Sequence, residues 1–399
     1  MAERGKGSLL GGALLVAGTC IGAGMLALPI ATGMAGFWPA MFVNVLCWLM
    51  MLCTGLLFLE VTLWMEDGAN VLSMAMRFLG PIGRIVGGAT FLLLYYCLVV
   101  AYLAGGCPAF FGLVNHFLGI EPNGWLGYLA FAGLVGGLVA ISTRAVDRVN
   151  WILMASLIVS YLLLVGIGST ELEVERFARK NWSLALPAVP IFFVAYGYHN
   201  IIPTISTHLA RKAHVLRWAI IIGTSIPLIV YSAWQWMILG SIDESGLQLA
   251  ATRGTEITDT LRAITGNVWV YRLSLYFSFF ALLTSLLGVS LSMVDFLGDG
   301  FKIRKRSGLR RLGLALLVFV PPLMFAKDNP GIFRETLGYA GGFGEALLNG
   351  FFPIAMVWVG RYRRGLTSIQ QLPGGRPLLV VLFALVLLAV ILEVYHIAS

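Results

Sequence analysis

Two short strings gather polar and helix-weakening residues deep inside otherwise apolar stretches of this chain: GTCIGAGMLALP at 18–29 and AYGYHN at 195–200. Gly22 and Gly24, followed by Pro29, weaken a helix, because glycine gives up the most backbone freedom and proline lacks an amide donor. If the helix breaks there, its second half presents free N–H groups and the positive end of a dipole, a ready seat for a carboxylate. The carbonyl end of the first half has the opposite polarity and suits an ammonium group or a metal cation. A pair of such breaks fits an amino acid zwitterion better than a sugar or a simple ion. His199 adds an imidazole in the second string. Such a ring titrates near neutral pH and suits a proton switch, or it hydrogen-bonds substrate or backbone while staying neutral.

Simple packing is the competing reading. Gly7, Gly11, Gly18 and Gly22 share one helix face, and small residues at that spacing let membrane helices approach closely. Gly24, however, lies off the spacing. Pro187, Pro190, Gly197 and Pro203 interrupt the run around the second string as well. Unwound backbone in hydrocarbon is costly unless it lines a polar cavity or binds something, so two breaks favour a binding site.

The elements that must hold these strings are membrane helices. Of 399 residues, 59% are hydrophobic and only 12% charged, and apolar runs of the ~20 residues that cross a bilayer recur along the chain. They are too long for the strands of a membrane barrel. The expected spans are 8–35, 39–65, 83–112, 124–142, 148–168, 183–208, 217–240, 268–295, 311–326, 343–361 and 377–397, about eleven in all. The N-terminal MAERGKGSLL has the charge of a signal peptide, but no small-residue cleavage site follows, and the run behind it is read as the first span. TELEVE (170–175) and DESG (243–246) fall in outer loops, ITDTLRAI (257–264) reads as a short surface helix, and KDNPGIFRETLGYAGG (327–342) as a partly ordered outer loop.

The net charge of +8 belongs to topology and not to nucleic acid. With the N-terminus inside, Arg77, Arg84, Arg144, Arg148, Arg211, Lys212, Arg217, Arg361, Arg363, Arg364 and Arg376 fall on the same side as Arg4 and Lys6. The string FKIRKRSGLRR (301–311) joins them and suits anionic lipid headgroups. The five cysteines (Cys20, Cys47, Cys53, Cys97, Cys107) show no metal-ligand spacing and are read as small packing residues.

The first and sixth spans are the interrupted ones, five crossings apart. A repeat of five crossings runs in opposite senses in the bilayer, which points to inverted repeats at 8–168 and 183–361 with span 377–397 outside them. Three strings, GTCIGAGMLALP, AYGYHNIIP (195–203) and LLTSLLGVSLSMVDFLGD (282–299), resemble the bacterial aromatic amino acid permease family. That family holds tyrosine- and tryptophan-specific permeases within the amino acid–polyamine–organocation superfamily, and the resemblance runs along nearly the whole chain. It implies an all-α membrane protein with a leucine-transporter-type five-plus-five inverted repeat, spans 1 and 6 broken, plus one extra C-terminal helix. It also implies uptake of tyrosine first and tryptophan second, in a bacterial cytoplasmic membrane, driven by an ion gradient, usually protons. The N-terminus would then be cytoplasmic and the C-terminus outside.

Carried over by position, the resemblance implies that the backbone at Thr19, Gly22, Ala23 and Gly24 holds the substrate's carboxylate and amine. Tyr196, His199 and Asn200 line the other side. Span 3 supplies Tyr95 and Tyr102, which are seven apart and share a face, in preference to Tyr96, about 100° away on the helix. Relatives of this fold that use sodium place two adjacent span 8 hydroxyls against the carbonyls of span 1, here Thr284 and Ser285 with Gly18; a local helix bond is the plainer reading of those hydroxyls. Proton-coupled relatives in some cases put a lysine on span 5, and 151–168 has none. Proton and sodium coupling both stay open, with protons favoured by resemblance.

Charged groups within spans are read as peripheral: Glu60 snorkels to the inner end of span 2, while Glu345 and Glu393 sit near the outer ends of spans 10 and 11, leaving no carboxylate near the membrane centre. An enzyme is not expected, since HExxH, GxSxG and paired ligand histidines are missing from the sequence, and no cofactor is implied. A permease for another neutral amino acid, such as serine or a branched-chain residue, and a non-transporting sensor are the alternatives.

Overall fold

A computed structural model describes residues 7–120, 124–253, 257–264, 267–303, 307–329 and 331–398. Arg4, Lys6 and residues 304–306 of the basic string lie outside the described residues. Among those described there are helices and no strands. Ten helices are long and apolar enough to cross a membrane, and a bent pair, Leu9–Cys20 with Gly24–Thr32, makes an eleventh.

Span 1 is that pair, bent by 56°. Span 2 is Phe37–Trp64; span 3 lies within Val71–Leu118; spans 4 and 5 are Gly124–Ile141 and Thr143–Gly168. Span 6 is interrupted, with helices at Val189–Ala195 and Ile202–His208. Spans 7, 8 and 9 are Ala213–Ser241, Val268–Gly300 and Leu309–Asp328. Span 10 runs over Phe333–Arg363, and span 11 is Gly375–Ala398. Two surface helices, Glu244–Arg253 and Ile257–Ile264, follow span 7, and only the second is the one that the spacing of ITDTLRAI predicts. They pack on the second half of span 1.

Several boundaries differ from the expected ones, each for a local reason. Val71–Leu118 is two helices joined at Gly80, whose φ of 77° only glycine adopts readily, so a short helix precedes span 3. The larger correction is in span 10. The string GYAGG is not loop punctuation: Gly341 and Gly342 are helical, Gly341 backed against the Pro190 carbonyl and Gly342 against Glu393. The glycines serve close helix approach, and span 10 therefore begins at Phe333, well before the expected residue 343.

Spans 1, 2, 6 and 7 pack chiefly on one another, and spans 3, 4, 5, 8 and 9 form a second group. Span 10 touches both groups, through spans 2, 3 and 6, and span 11 lies mainly on span 10.

Buried and half-buried cations fasten one end of the molecule. Arg211, held at φ 57°, donates to the carbonyls of Thr62, Leu63 and Met65 and so caps span 2. Arg311 donates to the Val139 carbonyl at 2.6 Å and to Thr143 at 3.1 Å, tying span 9 to the turn between spans 4 and 5. Glu60 does not snorkel. It is fully buried and takes both donors of Arg361 from span 10, Nε at 2.8 Å and Nη2 at 2.5 Å.

Candidate functional site

Both interrupted spans break where glycine and proline weaken them. In span 1 the first helix ends at Cys20, Ile21 turns to φ −74° and ψ 107°, and the second helix starts at Gly24 with Pro29 inside it. In span 6 the first helix ends at Ala195, and the second begins at Ile202 with Pro203 in its first turn, where a missing amide is harmless. Between them Tyr196 and Tyr198 leave helical geometry and His199–Ile201 form a single tight turn.

The two breaks meet. A side-chain carbon added at Gly24 would lie 3.2 Å from the Cα of Ala195, so the second half of span 1 rests directly on span 6 main chain. One added at Gly22 would collide with the Ser285 hydroxyl of span 8. Ser285 Oγ accepts the Ala23 N–H at 2.9 Å. From span 7, the hydroxyl of Tyr231 lies 2.7 Å from the Cys20 carbonyl and 2.7 Å from the Ala195 carbonyl. One phenolic proton thus serves the carbonyl ends of both broken helices, and carbonyl lone pairs remain for another donor.

The other expected residues divide between two neighbours. Tyr196 donates to Asn44 Oδ1 of span 2 at 2.7 Å, and the Asn44 amide goes on to Ser232 at 3.1 Å. His199, 0% exposed, shares a 3.0 Å hydrogen bond with Thr54 of span 2, and its Nδ1 has no partner among the described residues. Both therefore face span 2, behind the break. Asn200 turns the other way and donates to Tyr95 of span 3 at 3.2 Å. Tyr95 and Tyr102 lie on one buried face, while Tyr96 donates to the Leu317 carbonyl of span 9.

Thr284 donates to the carbonyls of Phe280 and Ala281 in its own helix, at 2.8 and 3.1 Å. Gly18 faces Met154 of span 5, and Thr19 is exposed with its hydroxyl bonded back to Leu15. Of the span 8 pair, then, it is Ser285 that meets span 1. Exposure is uneven along span 1 and its neighbours. Thr19, Asn200 and Gly288 are exposed, whereas the stretch from Met25 to Leu28 beyond the first break is fully buried.

Three groups at the site lie outside the expected set. Tyr231 carried no signal beyond being one aromatic in an apolar span. Asn44 did: it is an amide alone in the run MFVNVLCW, and a polar group at such a place needs a partner. Glu345 overturns its expected peripheral place. In the longer span 10 it lies near the middle, 5% exposed, with its carboxylate against Gly197 in the span 6 break. The Asn349 amide donates to its Oε2.

Replacing Tyr231 with phenylalanine leaves two buried carbonyls without their donor, at about 1–3 kcal/mol. The Tyr231→Phe protein is expected to show both a lower Tm in detergent and a roughly tenfold higher half-saturation concentration for its substrate. If neither changes, the bridge between the breaks does not form.

The sequence model of the tryptophan/tyrosine permease family matches residues 5–393. The "Tyrosine-specific transport system 2" of Haemophilus influenzae is 32% identical over 396 residues, covering 96% of this chain and 93% of that protein. From the same organism, "Tyrosine-specific transport system 1" is 30% identical over 378 residues, 94% of this chain and 93% of its own length. A "Tryptophan-specific transport protein" of Pseudomonas aeruginosa is 30% identical over 384 residues, 94% of this chain and 91% of the relative.

Proposed function

The chain belongs to the tryptophan/tyrosine permease family, an integral membrane transport protein, and from that premise we propose that it is a symporter importing an aromatic amino acid, tyrosine first and tryptophan second, across a bacterial cytoplasmic membrane. The observation that carries the reading is Tyr231 holding the Cys20 and Ala195 carbonyls at one point. The substrate ammonium joins those carbonyls, and its carboxylate takes the N-terminal end of the helix that starts at Gly24. Tyr95 and Tyr102 stand on the span 3 face that would meet the aromatic ring.

Transport proceeds by alternating access around this site. Two packing groups, with spans 1, 2, 6 and 7 in one, supply the bodies that rock. They accord with inverted repeats over 8–168 and 183–361, span 11 standing outside. Exposure at Thr19, Asn200 and Gly288, with burial beyond Gly24, supports a state open toward the N-terminal side, which is the cytoplasm in the topology set by the basic residues. The proton is the favoured coupling ion. Sodium at Gly18, Thr284 and Ser285 is the alternative: Thr284 donates within its helix and Ser285 accepts one amide, which leaves lone pairs on both hydroxyls.

The test is uptake of labelled tyrosine into proteoliposomes with proton and sodium gradients imposed separately. Accumulation against the tyrosine gradient under the pH gradient alone is expected, with tryptophan competing and serine or leucine competing poorly. Accumulation under sodium alone replaces the ion, and binding without accumulation under either gradient makes the protein a sensor.

A further inference from the structure

The described carboxyls differ in what neutralises them. Glu60 has Arg361 as a bidentate partner. Glu393 lies against Gly338 and Gly342, toward the Phe333 end of span 10, with Arg334 as its charged neighbour. Glu345 is buried at mid-span with an amide partner, Asn349, and among the described residues no lysine or arginine pairs with it. An ionised carboxyl in such a place is expensive, and groups retained there mark ion pathways.

Its surroundings tie it to the moving parts. The helix from Ala340 to Phe351 is wound in wide π turns, a local distortion that recurs at functional sites. Within that stretch Gly341 backs onto Pro190 of span 6 and Gly344 onto Leu94 of span 3. Glu345 itself abuts Gly197, where any side chain would strike its carboxylate. The group thus sits on a span that packs extensively on both groups, beside the unwound backbone that holds the substrate.

We propose that Glu345 carries the coupling proton of transport. The inference rests on the symport reading above and names the residue that executes it. The step is one proton transfer: the carboxylate takes up H⁺ while the site faces the side of uptake and releases it to the other side, making and breaking only its own O–H bond. Neutral, the carboxyl lets span 10 stay closed on Gly197; charged, it draws water toward the break. The other ionisable groups within electrostatic reach of it are the phenols of Tyr95 and Tyr102 from span 3 and the Cys20 thiol from span 1. His199 of span 6 is engaged with Thr54 on the far side of the break. From span 11 comes Glu393, and span 2 contributes Glu60, compensated by Arg361.

Glu345→Gln keeps the shape and the Asn349 contact and removes the titratable proton. In proteoliposomes, two assays on the same preparation decide the role. Counterflow, the exchange of labelled for unlabelled tyrosine, needs no net proton movement. Accumulation under a gradient of about one pH unit reaches at most about tenfold for one coupled proton. Glu345→Gln is expected to keep counterflow within about threefold of the unaltered protein and to lose pH-driven accumulation altogether, its tyrosine ratio settling near one. Glu345→Asp retains both. If Glu345→Gln still accumulates tyrosine under the pH gradient, the assignment is overturned. If it loses counterflow too, Glu345 is a substrate-binding or structural residue, which overturns it equally. Failure of the unaltered protein to accumulate tyrosine under the pH gradient sinks the proton reading itself, a different result seen in the control lane.

Discussion

Replacing Gly24 with leucine is expected to abolish uptake of tyrosine, the substrate proposed above. At this position even a methyl group lies 3.2 Å from the Cα of Ala195 and 3.5 Å from its nitrogen, both main-chain atoms that cannot rotate away. Leucine adds three carbons beyond that methyl. The second half of span 1 must then lift off span 6, and the Tyr231 hydroxyl no longer reaches both carbonyls at 2.7 Å. Loss of substrate binding by at least about a hundredfold is expected, equivalent to ~3 kcal/mol. Gly24→Ala is expected to fall between, because a lone methyl needs the neighbouring backbone to yield only a few tenths of an ångström. Uptake and equilibrium tyrosine binding, measured on protein that elutes as a single species, check both variants. Unchanged affinity in Gly24→Leu contradicts the contact between the breaks.

The second large effect concerns Arg361 and Glu60. Both are buried and bonded through two parallel hydrogen bonds, a geometry that fixes direction as well as distance. Arg361→Ala strands the Glu60 charge inside the molecule, and breaking such a pair from one side costs about 3–5 kcal/mol. A markedly lower Tm and poor recovery from the membrane follow. The double variant Glu60→Leu, Arg361→Met removes both charges and is expected to regain most of that stability, since well-packed apolar replacements of a buried pair are often neutral. Thermal unfolding in detergent separates the cases. Equal losses in the single and double variants would mean that shape, and not charge, holds spans 2 and 10 together.

Span number and the two breaks were legible in the sequence because they rest on local physics. Hydrocarbon thickness sets the run length, and glycine with proline weakens a helix wherever they fall. The partners of the breaks were not, because they come from tertiary contacts between residues far apart in the chain. IGAG shows that span 1 breaks, but not that Gly22 clears Ser285 while Gly24 clears Ala195. The histidine and tyrosine of AYGYHN are visible as polar groups, yet only the fold turns Tyr196 and His199 toward span 2 and Asn200 toward span 3. The length of span 10 is hidden in the sequence for a related reason. Glycines that end a helix in a loop and glycines that admit a neighbour look alike in sequence, and choosing the former displaced Glu345 from the centre to the edge.

Tyr231 has a consequence for the energetics of the cycle. Because a single hydroxyl holds the carbonyls of both broken helices, those helices turn as one piece for as long as the bond lasts. A guest held by them meets the same pair of carbonyls whichever face of the membrane is open. In the symport proposed above, its affinity on the two sides is then nearly equal, and the free energy for accumulation comes from the coupled ion alone.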